Sequence, residues 1–157
     1  YGTVINAQTL EHAVPNLRNS VEKIIVIENK ANYESMPYEE GTLIIYSHGY
    51  FSPDERAFLI QLERVLSGIH TSCGTAYLHT GDLDYGGVKI FQYIKKRIFP
   101  KLYPYLMDTQ TYDMAYGEPI ETSKLEKLQR TAEPLLQPLV DKICAEKQVI
   151  EQESFLF

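Results

Sequence analysis

Cysteine is scarce in this chain. Its two copies, Cys73 and Cys144, stand at no metal or redox spacing, which removes a structural zinc knuckle and leaves both read as buried small hydrophobes rather than a disulfide. A reducing, intracellular setting follows, and a cytoplasmic one is expected. No apolar run approaches the length needed to cross a bilayer and no signal peptide opens the chain, so a membrane is not an expected partner. Positive charge is short as well: 15 Lys and Arg face 21 Asp and Glu, for a net charge of -6. That balance argues against tight nucleic-acid binding by this piece alone, because phosphate contacts require local Lys and Arg. There is no Gly-x-Gly-x-x-Gly after a strand and no Walker lysine loop, and Ser47-His48-Gly49 lacks the glycine two residues before the serine that a nucleophile elbow requires.

What is present fits one folded α/β unit. The 157 residues are 44% hydrophobic with twelve tyrosines, enough for a core without staples. Tyr1 rather than Met opens a stretch that reads as mid-protein text, so the chain is expected to be an excised domain. Residues 1–20 read as a lead-in or a seam to an upstream domain, with Thr9 capping a short helix through Leu10 and Ala13 that Pro15 ends. Residues 21–108 read as the α/β core. Strands are expected at 21–28, 42–47, 75–79 and 102–107, the second apolar enough to be covered on both faces and the last confined by Pro104 to an edge or a beginning. Between the first two lies a loop and short helix over 29–40. Ser52 as cap and Pro53 in the first turn start a longer helix whose buried stripe is Phe58, Leu62, Val65, Leu66 and Ile69, ended by Gly68 or the turn beyond. A further helix starts after Gly87, with Val88, Phe91, Ile94 and Ile98 inward and Lys89, Gln92, Lys95 and Lys96 outward, closed by Pro100. This alternation predicts a central parallel four-stranded sheet flanked by helices.

Residues 109–157 differ in kind and predict a C-terminal helical extension packed on the core. Helices are expected over 123–130 and 134–147. From Asp108 onward acids outnumber bases ten to five, and Val149-Ile150-Glu151-Gln152-Glu153 has no obvious core role.

Chemistry concentrates at Gly81-Asp82-Leu83-Asp84-Tyr85-Gly86-Gly87, after the third strand. The two aspartates can lean toward one point once the pleat breaks down, and Glu28 ends the first strand at the same rim if both strands are parallel. Ligands of open α/β sheets collect beyond the carboxyl ends of the strands. Magnesium takes hard oxygen ligands at about 2.0–2.1 Å and keeps several waters plus substrate phosphate oxygens. Three clustered acids without a cation would force a proton onto one of them. The alternative for the segment is a solvated turn, where Asp and Gly are ordinary.

Other candidates carry two readings each. His48, after the second strand, is either a phosphate contact or proton carrier, or an ordinary loop histidine. Lys89 either meets a phosphate and neutralises transition-state charge or belongs to a solvated helix face. His79 is read as structural. Lys95, Lys96, Arg97 and Lys101 extend the only strongly basic patch, by itself weak evidence for nucleic acid. Glu151 and Glu153 are read as a charged, frayed terminus, against the alternative that the tail folds back to add acidic ligands.

Ile25-Val26-Ile27-Glu28-Asn29, Leu43-Ile44-Ile45-Tyr46-Ser47-His48-Gly49-Tyr50 and the Gly81 to Gly87 turn resemble the successive motifs of a Toprim domain. More narrowly, the Glu-Asn after strand one and the Gly-Asp-x-Asp-x-Gly-Gly turn resemble the C-terminal domain of the JetD subunit of Wadjet plasmid-defence systems, related to the A subunit of type VI topoisomerases. Glu151-Gln152-Glu153 resembles that family's closing motif. The resemblance implies Mg²⁺, with Mn²⁺ as substitute, held by Glu28, Asp82 and Asp84, and phosphodiester cleavage of DNA; His48 and Lys89 stay candidates from their positions alone. Implied partners are DNA, met mainly through domains outside this chain, an SMC-type motor complex and a second copy in a homodimer. It assigns none of the tyrosines as nucleophile. Rival readings are a topoisomerase- or primase-like Toprim subunit and a non-catalytic α/β scaffold that binds a partner protein.

Overall fold

A computed structural model describes residues 5–17, 21–68 and 74–155. Ile69 and Cys73 lie outside the described residues. The chain runs α1 (Ala7–His12), β1 (Lys23–Ile27), α2 (Lys30–Ser35), β2 (Thr42–Tyr46), α3 (Pro53–Gly68), β3 (Ala76–Thr80), α4 (Tyr85–Arg97), β4 (Leu102–Pro104), α5 (Thr109–Met114), β5 (Glu118–Pro119), α6 (Thr122–Gln129), α7 (Gln137–Glu146) and β6 (Gln148–Val149), closing with a 3-10 turn at Gln152–Phe155. Strands β1 to β4 form one parallel sheet in the order β2-β1-β3-β4. No helix among the described residues is long and apolar enough to cross a membrane.

The innermost strand is the most apolar. Ile24, Ile25, Val26 and Ile27 of β1 are each at most 2% exposed, as a strand buried on both faces requires. β2 departs from expectation: it is an edge, and all five of its residues are only half-buried, so its apolar composition reflects one covered face. β4 is the other edge, and Pro104 ends it, where the missing N–H leaves no gap inside the ladder.

Helix α3 opens on a capping box. Glu55 N–H donates to Ser52 Oγ (3.3 Å) while Ser52 N–H donates to Glu55 Oε2 (2.7 Å). Its buried line is Leu59, Leu62 and Leu66, with Phe58 packed at the margin and Val65 half-buried. Helix α4 begins at Tyr85 rather than after Gly87, because Asp84 caps it through Gly87 N–H (2.8 Å). Val88, Phe91, Ile94 and Ile98 point inward as expected. At α1 the cap is Asn6, which accepts from Thr9 N–H at 2.9 Å; Thr9 is the residue being capped.

The C-terminal third shares the core. Leu128 of α6 and Leu136, Leu139, Val140 and Ile143 around α7 join the cluster built on β1 and α4. Helix α5, capped by Asp108, and the antiparallel pair β5 and β6 lie in segments without a periodic apolar pattern. Cys144 is half-buried against the same cluster.

Candidate functional site

Parallel pairing decides where the acids go. Ile27 is level with Thr80 on one side and Tyr46 on the other, so Glu28, Gly81 and Ser47 leave the sheet at one rim. The ladder carries on past the strands: Glu28 N–H donates to Thr80 O (3.1 Å) and Ser47 N–H to Ile27 O (2.9 Å). Glu28 and the Asp82 to Asp84 turn therefore stand together, although more than fifty residues of chain separate them.

Two glycines make the approach possible. A Cβ on Gly81 would collide with Glu28 Oε2, and a Cβ on Gly87 would collide with the backbone carbonyl of Asp82. Leu83, fully buried between the two aspartates, is tied to the tail by an antiparallel bridge: its N–H donates to Ile150 O (2.8 Å) and Ile150 N–H returns to Leu83 O (3.3 Å).

The electrostatics are those of acids crowded without a counterion. Burial, together with the charges of Asp82, Asp84 and Glu151, pushes the Glu28 carboxyl up to about 7, against partial relief from the Asp82 backbone N–H. Asp82 is also raised, by burial and by Asp84 and Glu153, while the Gln152 N–H on its carboxylate opposes the rise. Glu151 is raised chiefly by Asp82. Glu28 Oε2 is buried with no hydrogen-bond partner. Asp84, in contrast, spends Oδ1 on its cap. Among the described residues no three Asp, Glu, His or Cys side chains stand together as a ready metal-ligand set. The acids are neighbours rather than a closed cage.

Glu28, Asp82 and His48 line one open cavity of about 320 Å³, shared with Asn29, Lys30, Tyr46 and Gly49. His48 has a positive φ of 39°, lies against the Tyr46 ring (5.8 Å) and is engaged through Nε2 by Glu55 at 3.2 Å. Lys89 does not line this cavity. Its ammonium donates to Gln92 (3.3 Å), and it lines a second cleft with Lys95, Lys96 and Arg97. His79 is buried behind the site against Phe91, with neither ring nitrogen hydrogen-bonded; burial holds its pKa down to about 3.

The tail corrects the sequence reading most. Residues 149–153 are not frayed: Ile150 is 1% exposed and Gln152 fully buried. Gln152 N–H donates to Asp82 Oδ1 (2.8 Å), its Oε1 accepts from Asn29 N–H (3.0 Å), and its Nε2 donates to Thr80 Oγ1 (3.1 Å). Glu153 accepts from Asn29 Nδ2 (3.0 Å). In the sequence Gln152 is visible only as the middle of a closing motif, because an isolated polar residue in an acidic tail gives no periodic signal. Lys30, paired with Glu34 (3.6 Å), also went unnoticed, although it follows Glu28-Asn29 directly.

A profile of the family described as "Wadjet protein JetD, C-terminal" matches residues 3–157. The chain is 35% identical over 139 residues to the Wadjet protein JetD of Bacillus cereus (strain Q1), an alignment covering 84% of this chain and 33% of that protein. The match thus spans about a third of the length of that curated relative.

Proposed function

The chain belongs to the Wadjet protein JetD C-terminal family, and from that premise we propose that it is a Toprim-like, divalent-metal-dependent domain for DNA phosphodiester cleavage within a larger anti-plasmid defence nuclease. The observation that carries the reading is the unpartnered, buried Oε2 of Glu28 at a rim shared with Asp82 and Asp84. A carboxylate raised to about 7 by burial and by other acids is one that a divalent cation would return to its charged form.

Glu28 and Asp82 hold Mg²⁺ in this proposal, with Asp84 adding charge from the cap of α4 and Mn²⁺ serving as a substitute. The open arrangement suits magnesium, which takes one or two carboxylates and leaves its remaining positions to water and substrate phosphate. Bound there, the metal supplies polarisation of the scissile phosphate and stabilisation of charge on the leaving oxygen. The chain's own residues fix the geometry. Gln152 N–H orients the Asp82 carboxylate, and the Gln152 side chain locks Asn29 and Thr80 on either side of Glu28. Lys30 and His48 border the cavity where phosphate enters, His48 held by Glu55. DNA, an SMC-type motor complex and a second copy are the proposed partners, in a cytoplasmic setting.

Glu28→Gln and Asp82→Asn each test the reading in the full-length protein. Both are expected to abolish Mg²⁺-dependent nicking while the folded spectrum and unfolding cooperativity persist. Retained cleavage in either folded variant contradicts it. The absence of a ready three-ligand set among the described residues favours a second reading, a non-catalytic partner-binding domain. That reading predicts no Mn²⁺ binding at millimolar metal by wild-type protein.

A further inference from the structure

Helix α4 carries cations that have no acidic partner among the described residues. Among the described residues, ion pairs fall on His12, Lys23, Lys30, His48 and Lys142, and none on Lys89, Lys95, Lys96 or Arg97. Those four line a single open cleft of about 640 Å³. In a chain of net charge -6 this is a local reversal of sign. The one acid in the lining, Glu133, is 8% exposed, and its Oε1 takes the Leu135 N–H at 3.4 Å. Lys95 is aimed rather than loose: its ammonium donates to Leu102 O (3.3 Å) and lies over the Phe91 and Tyr103 rings.

The cleft adjoins the acid cavity through consecutive residues, since Gly49 lines one and Tyr50 the other. Tyr50 is 56% exposed, and its ring meets Tyr93 edge-on at 5.0 Å. Tyr93 is itself fixed by its hydroxyl, which donates to Phe51 O (3.0 Å). Eight residues separate Lys89 from Arg97, a rise of about 12 Å along the helix. One strand of B-form DNA passes three to four phosphates over that length, at about 3.4 Å per nucleotide.

We propose that the α4 cleft is a track for the phosphodiester backbone of DNA, leading one strand past Tyr50 into the cavity of Glu28 and Asp82. The inference rests on the cleavage reading above and assigns to it a substrate-holding surface. Its physical basis is sign. An acid cavity repels phosphate, and a row of unpaired cations beside it offsets that repulsion and steers the strand inward.

Binding of a short DNA duplex to the full-length protein, measured in EDTA over a range of salt, tests the proposal. Lys96 and Arg97 are exposed and make no hydrogen bond or ion pair among the described residues, so the double variant Lys96→Ala/Arg97→Ala is expected to keep the structure. With two phosphate contacts gone, the slope of log K against log salt falls by about two, and affinity near 0.1 M salt drops roughly 50-fold. An unchanged slope overturns the track and leaves these cations to an acidic protein partner. Asp82→Asn separates the two claims: it is expected to stop cleavage with the wild-type salt slope. If it still cleaves, the metal reading falls while the slope of the double variant judges the cleft independently.

Discussion

Glu28 is held in a state that water would not permit. Its folded value of about 7 lies above the ordinary 4.5, so between those limits the folded protein keeps a proton that the unfolded chain has released. Stability of the metal-free protein therefore falls as pH rises from about 4.5 to about 7, by a total on the order of 3 kcal/mol. His79 works the other way. Held down to about 3 from 6.5, it is neutral in the fold where the unfolded chain is charged, and its contribution grows as pH rises to about 6.5. The two trends oppose each other over about pH 4.5 to 6.5, so the total profile conceals both. Glu28→Gln separates them: its stability gain over wild type, from urea unfolding in EDTA, should widen from near zero at about pH 4.5 to roughly 3 kcal/mol at about pH 8. A constant difference across that range would mean that Glu28 is not the raised acid.

Gln152 is the second residue on which the site turns. Replacing it by Leu leaves the Asn29 N–H and the Thr80 hydroxyl without their buried partners, at a cost of about 2 kcal/mol. Mn²⁺ affinity should fall as well, by about 10- to 100-fold, because the Gln152 side chain fixes Asn29 and Thr80 at the flank of Glu28 without being a ligand, while the backbone N–H on Asp82 survives the change. Titration calorimetry reads the second effect and chemical unfolding the first. Loss of stability with unaltered Mn²⁺ affinity would make Gln152 a packing residue only.

Among the elements, those with a period were legible and those held by single hydrogen bonds were not. The apolar run Ile24 to Ile27 announces a central strand, and Val88, Phe91, Ile94 and Ile98 announce the inward face of α4, because burial repeats with the geometry of each element. The rim position of Glu28 and Asp82 followed from parallel topology, which the alternation of strands and helices dictates. The tail offered nothing comparable. Its last described turn is four residues long, too short for a helical period, and its anchors are a bridge at Leu83 and hydrogen bonds at Gln152, Glu153 and Phe155. β2 misled for a related reason: an apolar edge strand and an apolar central strand have the same composition.

This strap is testable as an element. Ile150→Ala should cost about 3 kcal/mol through the lost packing and should also weaken Mn²⁺ binding, because the buried Ile150 side chain seats the backbone that bridges to Leu83, between Asp82 and Asp84. Leu66→Ala on α3 is comparably buried but remote from the turn, and it should cost a similar amount with metal affinity unchanged. Equal Mn²⁺ affinities in the two variants would detach the tail from the site. Gly87→Ala drives a Cβ into the Asp82 carbonyl, and it should cost about 3 kcal/mol while displacing that aspartate.

Over the whole molecule, charge is segregated rather than balanced. Acids gather where the strand ends, the Asp82 turn and the tail converge, and cations that form no ion pair among the described residues gather in the cleft along α4, whose lining includes Tyr50 next to Gly49 of the acid cavity. For the proposed DNA substrate, such a local reversal of sign would offset the repulsion between phosphate and the acids at the rim. Sequence composition conceals this pattern because only folding sorts the charges onto separate surfaces. Manganese anomalous scattering from crystals soaked at millimolar Mn²⁺ examines the central claim without reference to activity. A peak in contact with the carboxylates of Glu28 and Asp82 is expected, and its loss from crystals of Glu28→Gln. Full soaking with no peak at that rim, or a peak only at surface acids such as Asp113 and Glu146, would contradict it.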